Sequence, residues 1–414
     1  MAALAAAAGG CGHGPDPRRY RIDCDYGVED PQFRRTVGGL LGPPLVEGNA
    51  TATLLNGDRI FPAMLDAIHS ARRSVTFETF VYWSGRTGGE FASALADAAA
   101  RGVKVHVIID SVGSDRIDHR HVRRMTDAGA HVVMYHPLHW YDLTSASRLN
   151  NRTHRKLLVV DGAVGFIGGA GVADQWLGDA EGPKHWRDTH YLVRGPVVAQ
   201  LQAAFADNWM ESTGRVLHGD DYFPGLRIEG SQAAQVFRSA PGAGGTESMR
   251  LMYLLSLAAA RHDVRLATAY FVPDEQTVAA LLGARRRGVR VRVIVPGRHI
   301  DVKPVRHASR AGWGGLLRAG VEVYEYGPTM YHCKLMIVDD LWVSVGSANL
   351  DNLSLRMNDE ANLNVLDRAF AAEQTEVFER DLARCRRVTY EQWRRRPAGA
   401  KLLDQLATPF RGVM

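Results

Sequence analysis

Apolar and polar positions follow the same order in two stretches of this chain. In the first, residues 74–81 (SVTFETFV) read as a strand and residues 89–101 as a helix. Gly102 then breaks the pattern before the strand 103–110 (VKVHVIID). In the second, 263–272 (DVRLATAYFV) reads as a strand and 275–287 as a helix, with Gly288 before the strand 289–296 (VRVRVIVP). Each stretch continues with a further helix, an Ala-Gly corner (Ala128-Gly129, Ala319-Gly320) and a short strand (131–135, 321–326). Strand–helix–strand order with a glycine behind each helix predicts a largely parallel sheet covered by helices. The repeat predicts two tandem αβα domains, over residues 45–215 and 230–400, forming a pseudo-twofold dimer within one chain.

Both halves then reach a hairpin that carries chemistry. In the second half HCKLMIVDDLWVSVGSAN gives His332, Lys334 and Asp339, an apolar strand 335–338, a turn at Asp339-Asp340, a strand 341–345, and Ser347 and Asn349. Alternation along a strand puts His332 and Lys334 on one face and turns Cys333 away. In the first half HRKLLVVDGAVGFIGGAG gives His154, Lys156 and Asp161 at the same spacings, with Gly169 and Gly171 where the second half has Ser347 and Asn349. A neutral imidazole can attack phosphorus or move a proton, a lysine offers compact positive charge, and hydroxyl and amide groups add donors for non-bridging oxygens. One such hairpin has little weight, but a second copy 178 residues away makes coincidence a poor explanation.

The paired His-x-Lys-x4-Asp hairpins resemble those of the phospholipase D superfamily. The surrounding text (NRTHRKLLVVDG, GFIGGAGVADQW, HWRDTHYLVRGPVV, GSANLDNLSLRMNDEANL) resembles bacterial cardiolipin synthases, and the likeness runs from about Val46 to Arg395. It implies phospholipase D-like domains sharing one composite site and a two-step transfer through a phosphohistidine. His154 is the expected nucleophile and His332 the general acid and base, although the residues alone leave that order open. Lys156, Lys334, Asn349 and Ser347 are expected to hold the phosphoryl oxygens. The likeness also implies crosswise acids, Glu360 for His154 and Asp188 for His332. Asp161 and Asp339 read as structural turn residues, and Glu78 as a buried, paired carboxylate. No metal or other cofactor is expected, since two lysines supply the charge a divalent cation would.

Composition changes this picture little. A formal charge of +5 and 23% charged residues describe an ordinary globular chain with a modest basic excess. Four scattered cysteines show no metal-like spacing, and no stretch approaches the roughly 20 apolar residues a membrane helix needs. Residues 1–44, rich in Ala, Gly and Pro, read as a mostly disordered lead-in. In the first half, residues 136–153 (HPLHWYDLTSASRLNNRT) form an additional aromatic loop, a candidate lid or acyl-chain contact. Arg380, Arg384, Arg386 and Arg387 with Trp393 and Arg394–Arg396 suit an anionic lipid interface, or a nucleic-acid groove. The family resemblance favours phosphatidylglycerol and cardiolipin as partners over nucleic acid, with peripheral attachment at the cytoplasmic side of a bacterial inner membrane. Hydrolysis of a phosphodiester by the same two histidines is the competing activity, and a lipid-binding module with a relict site the weaker third.

Overall fold

The computed structural model describes residues 20–137, 151–239 and 248–408. The first half contributes β1 (Val46–Leu55), β2 (Ser74–Thr79), β3 (Lys104–Asp110), β4 (His131–Tyr135), β5 (Leu157–Val160), β6 (Val164–Gly168) and β7 (Thr189–Arg194). The second contributes β8 (Gln232–Ser239), β9 (Asp263–Ala267), β10 (Phe271–Val272), β11 (Arg290–Pro296), β12 (Glu322–Tyr326), β13 (Leu335–Val338), β14 (Trp342–Gly346), β15 (Leu350–Asp351), β16 (Glu360–Leu366) and β17 (Cys385–Val388).

Fifteen of these strands form one sheet in the order β17-β12-β11-β9-β13-β14-β16-β8-β1-β7-β6-β5-β2-β3-β4. Reading outward from the β8–β1 seam gives the same order of equivalent strands in both directions, with β17 added at one edge. That is the pseudo-twofold dimer of tandem α/β domains. The sheet is mixed rather than largely parallel. Only β2-β3-β4 and β9-β11-β12 run parallel, because only these are linked by crossover helices; the hairpins β5-β6 and β13-β14 and the seam are antiparallel.

Each half buries one sheet face under its own helices. Asn56–Ser70 and Arg86–Ala100 bring Ile60, Phe61, Phe91 and Leu95 onto Val75, Phe77 and Val107. Ser248–Ala259 and Glu275–Arg286 bring Met252, Leu257 and Leu281 onto Val264, Leu266 and Val293. The opposite face is shared. Helices Val198–Thr213 and Arg368–Leu382 cover one continuous core in which Val159, Ile167 and Val193 meet Val236, Ile337, Val343 and Leu363.

Two expectations need correction. The segment read as a single strand over 263–272 breaks after Ala267. Thr268 turns its hydroxyl to the Tyr270 carbonyl and accepts from the Leu350 amide, so Phe271–Val272 pairs with β15 in a separate two-stranded ribbon. The lead-in is also partly structured: helix Pro31–Leu40, capped by Asp30, buries Phe33 and Val37 in the core of the second half, with Phe33 edge-on to Trp342 at 5.1 Å. The Gly- and Pro-rich text near both ends of residues 1–44 concealed these anchors. Residues 1–19, including Cys11, and residues 138–150 of the additional loop lie outside the described residues. Among the described residues, no helix is long and apolar enough to cross a membrane.

Candidate active site

The hairpin turns explain why each motif ends in aspartate. Asp161-Gly162 and Asp339-Asp340 both occupy the left-handed region at the two central positions of a tight turn, closed by the Ala163 N–H on the Val160 carbonyl and the Leu341 N–H on the Val338 carbonyl. Each first aspartate then accepts three successive backbone N–H groups from the chain entering the neighbouring strand. Asp161 takes those of Arg72, Arg73 and Ser74; Asp339 takes those of Arg261, His262 and Asp263. Neither reaches the histidines; both fix the hairpin to β2 or β9.

At the other end of each hairpin, just before the strand, the chain crosses to the opposite half. Thr153 bridges to Asp359, and the His154 amide donates to the Asp359 carbonyl at 2.9 Å. Arg187 bridges to Tyr331, and the His332 amide donates to the Arg187 carbonyl at 2.8 Å. Each histidine is therefore hung beside the acid that follows in the other half's strand. His154 Nδ1 lies 2.9 and 3.1 Å from the two oxygens of Glu360, and His332 Nδ1 lies 2.7 Å from Asp188 Oδ2. With Nδ1 held by its acid, Nε2 is the nitrogen each ring offers for chemistry, and at His332 Lys334 Nζ lies beside it at 3.2 Å.

The lysines fold back beside their histidines. Lys156 Nζ donates to the His154 carbonyl at 2.6 Å and Lys334 Nζ to the His332 carbonyl at 2.5 Å, and both are buried. The charge of Lys334 bears on both His154 and Lys156, so the two half-sites form one electrostatic unit. Burial lowers the pKa of His154 to about 4 against the pull of Glu360, with Lys156 adding to the drop. His332 is also lowered, by burial and then by Lys334. Lys156 falls to about 7 through burial, Glu360 opposing and Lys334 reinforcing. Burial, the largest single influence, pushes Glu360 and Asp188 upward, but His154 with Lys156 and Ser347, and His332 with Lys334 and Trp176, together outweigh it and hold both acids below the usual carboxylate range.

The acids have their own donors, and here the halves differ. Ser347 Oγ donates to Glu360 Oε2 at 2.5 Å, while Trp176 Nε1 donates to Asp188 Oδ2 at 2.8 Å. The Ser347 hydroxyl, expected to meet a phosphoryl oxygen, is thus committed to the carboxylate behind His154. Gly169, at the equivalent position, is filled from outside: a Cβ there would sit 2.2 Å from Asp188 Oδ1. Its N–H is spent on the Thr189 carbonyl. Gly171 backs onto Val81 and Trp176. Asn349 lies buried beside Thr268, whose hydroxyl is 3.5 Å from Asn349 Oδ1.

Sequence reading missed the aromatic walls. Phe80 stands edge-on to His154 at 5.1 Å with Lys156 Nζ 5.3 Å from its ring, and Trp176 and Trp186 lie 5.3 and 5.4 Å from the His332 ring. Trp176 and Trp186 lie within the GFIGGAGVADQW and HWRDTHYLVRGPVV stretches, and that placement was the available signal. Glu78 is fully buried, accepting from Thr153 Oγ1 at 2.5 Å and Asn208 Nδ2 at 2.6 Å, so it supports the segment that enters the site. Cys333 points into the shared core, where burial pushes its thiol up to about 12. Part of the arginine-rich C-terminal run is engaged within the protein. Trp393 Nε1 donates to the Arg310 carbonyl and its ring packs on the core; Arg386 and Arg387 pair with Glu325 and Glu322.

Duplicated α/β halves that meet to build a single two-histidine, two-lysine site put the protein among phospholipase D-like enzymes. The profile of the family described as cardiolipin synthase, PLD-like domain, matches residues 64–209 and 253–382. Cardiolipin synthase A of Pseudomonas fluorescens SBW25 is 36% identical over 353 residues, spanning 85% of this chain and 72% of its own. Cardiolipin synthase 2 of Bacillus anthracis is 31% identical over 355 residues, spanning 86% and 68%. The crystal structure of phosphatidylserine synthase from Haemophilus influenzae Rd KW20 has the same fold (TM-score 0.70, 13% identity, 92% of this chain and 100% of that one). The chain belongs to the cardiolipin synthase family of the phospholipase D superfamily, and is a phosphatidyltransferase of that family.

Proposed function

We propose that this phosphatidyltransferase makes cardiolipin from two molecules of phosphatidylglycerol at the surface of an anionic membrane, on the cytoplasmic side of a bacterial inner membrane. The observation that carries the reading is the crosswise pairing of two buried imidazoles with two buried carboxylates, each flanked by a lysine, in a chain of this family.

His154, held neutral by burial, attacks the phosphorus of the donor through Nε2. A phosphorus–nitrogen bond forms as the phosphorus–oxygen bond to the leaving glycerol breaks, and His332 Nε2–H gives that oxygen its proton. The glycerol hydroxyl of a second phosphatidylglycerol then loses its proton to His332 and attacks phosphorus. The phosphorus–nitrogen bond breaks and both histidines return to their starting state. Asp188 and the anionic phosphodiester oppose burial and Lys334 in keeping the first proton on His332. The same anion restores the charge of Lys156, and with Lys334 it is neutralised as negative charge gathers on the non-bridging oxygens. Glu360 and Asp188 act by holding each ring's Nδ1–H, with Ser347 and Trp176 fixing the acids in turn. The phosphoryl group is handed to an alcohol rather than to water when the second headgroup occupies the space the first one vacated.

A product assay with phosphatidylglycerol vesicles tests this. Cardiolipin and glycerol in equal amounts, lost in His154→Ala, is the expected outcome. Phosphatidic acid as the sole lipid product would instead make the protein a hydrolase, and turnover of nucleic acid alone would overturn the lipid substrate.

A further inference from the structure

The C-terminal helix Ala398–Leu406 (AGAKLLDQL) is packed inside out. A helix on a protein surface ordinarily buries its leucines and shows its charges. Here Asp404 is fully buried, lying 2.9 Å from His307 Nδ1 and accepting from Arg396 Nε at 2.7 Å, and Ala407 beside it packs with Val305, Ala308 and Val272. Leu402, Leu403 and Leu406 face outward, 57, 51 and 61% exposed. Among the described residues no other helix presents three large apolar side chains to solvent. The buried ion pair makes the orientation stable: turning the leucines inward would strand Asp404, Arg396 and His307 without partners or expose the small apolar cluster beneath.

The surroundings say what this face meets. Lys401 on the helix and Arg394 and Arg395 just before it are exposed, and none has a carboxylate partner among the described residues, whereas Arg396 is used up by Asp404. The helix rests on Lys303–Ala311, which begins two residues after Asp301. Asp301 accepts from Tyr270 at 2.6 Å, and its charge bears on His332 and Lys334. The helix that carries the leucines is thus packed, through Lys303–Ala311, on the segment that starts just after Asp301. We infer that helix Ala398–Leu406 docks the enzyme on an anionic bilayer, its three leucines entering the acyl boundary and its cations meeting lipid phosphates, so that the active-site mouth faces the membrane. The inference rests on the lipid-transferring reading above and specifies the surface that reading requires. The arginine strand β17 and Trp393 are committed elsewhere and do not form it.

The test is co-sedimentation with vesicles of phosphatidylglycerol and phosphatidylcholine. Replacing Leu402, Leu403 and Leu406 together by Ser alters only exposed positions, and the expected result is at least about a tenfold loss of vesicle affinity. Arg394→Gln, Arg395→Gln and Lys401→Gln together are expected to erase the preference for phosphatidylglycerol over pure phosphatidylcholine vesicles. The leucine variant should keep its turnover of molecularly dispersed short-chain phosphatidylglycerol while losing turnover on vesicles. Unchanged vesicle affinity in the leucine variant would overturn the inference. So would a wild-type dimer made monomeric by the same substitutions without loss of vesicle binding, which would make the face a contact between copies. A wild-type protein that binds vesicles but turns over neither form of the lipid would sink the proposed reaction while leaving the docking helix standing.

Discussion

At the scale of single residues, the site is fixed by how much room each acid is given. Gly169 exists because the Asp188 carboxylate occupies the space its side chain would need, so Gly169→Ala must displace that carboxylate and with it His332. Activity is expected to fall about a hundredfold or more with little change in far-UV circular dichroism, because an orienting carboxylate is worth about 10²–10⁴ in rate. Glu78 makes a different prediction. Burial raises its carboxyl from 4.5 to about 7, opposed by Arg155 and by its bonds to Thr153 and Asn208. The folded state then keeps a proton that the unfolded chain releases near pH 4.5. Stability conferred by this group is complete below that pH and is lost as pH rises toward 7, by roughly 3 kcal/mol. Glu78→Gln, which retains an acceptor for Thr153, should flatten the decline, and denaturant midpoints measured at pH 5 and pH 8 would reveal it. A midpoint that keeps the wild-type pH dependence would count against the assignment.

At the scale of elements, the hairpin is the working part, and its aspartate is a clamp. Asp161 accepts three amides from residues 72–74 while holding a left-handed backbone. Asp161→Ala removes those charge-assisted bonds and strains the turn, with an expected cost of about 2–4 kcal/mol. Thermal unfolding should shift down by several degrees while kcat of the surviving folded enzyme stays near wild type. A selective loss of kcat with unchanged stability would mean that the aspartate touches the reaction after all. Spacing and turn chemistry made this clamp visible in advance: Asp-Gly at 161–162 is a hairpin signal by itself, and the repeat at Asp339 doubles it. The strand expected over 263–272 is interrupted because Thr268, compatible with a strand by propensity, instead uses its hydroxyl to end one strand and anchor another.

At the scale of the whole molecule, the seam between β1 and β8 and the core shared beneath it make the two halves one body. Each active site therefore draws on both motifs of one chain. An equimolar mixture of His154→Ala and His332→Ala is expected to show no more activity than either variant alone, since every site in the mixture lacks one imidazole. Recovery toward wild-type turnover would imply exchange of halves between chains. Helix Pro31–Leu40 belongs to this scale as well, because a segment from before the first half seals the core of the second.

The sequence by itself determined the repeat, the paired histidines and lysines, the turn aspartates and the likeness to a family that moves phosphatidyl groups. These are legible because period-2 alternation, hairpin turns and fixed spacing are local, and the second copy multiplies the signal of the first. Only the tertiary structure decided the rest. It brought Glu360 and Asp188 to their histidines across the seam, gave Ser347 and Trp176 to those acids, walled the imidazoles with Phe80, Trp176 and Trp186, and turned the leucines of the last helix outward. Each of these depends on contacts between residues far apart in the chain. Whether a hydroxyl serves a phosphate or a carboxylate, or a leucine a core or a membrane, is set by the neighbour that folding supplies.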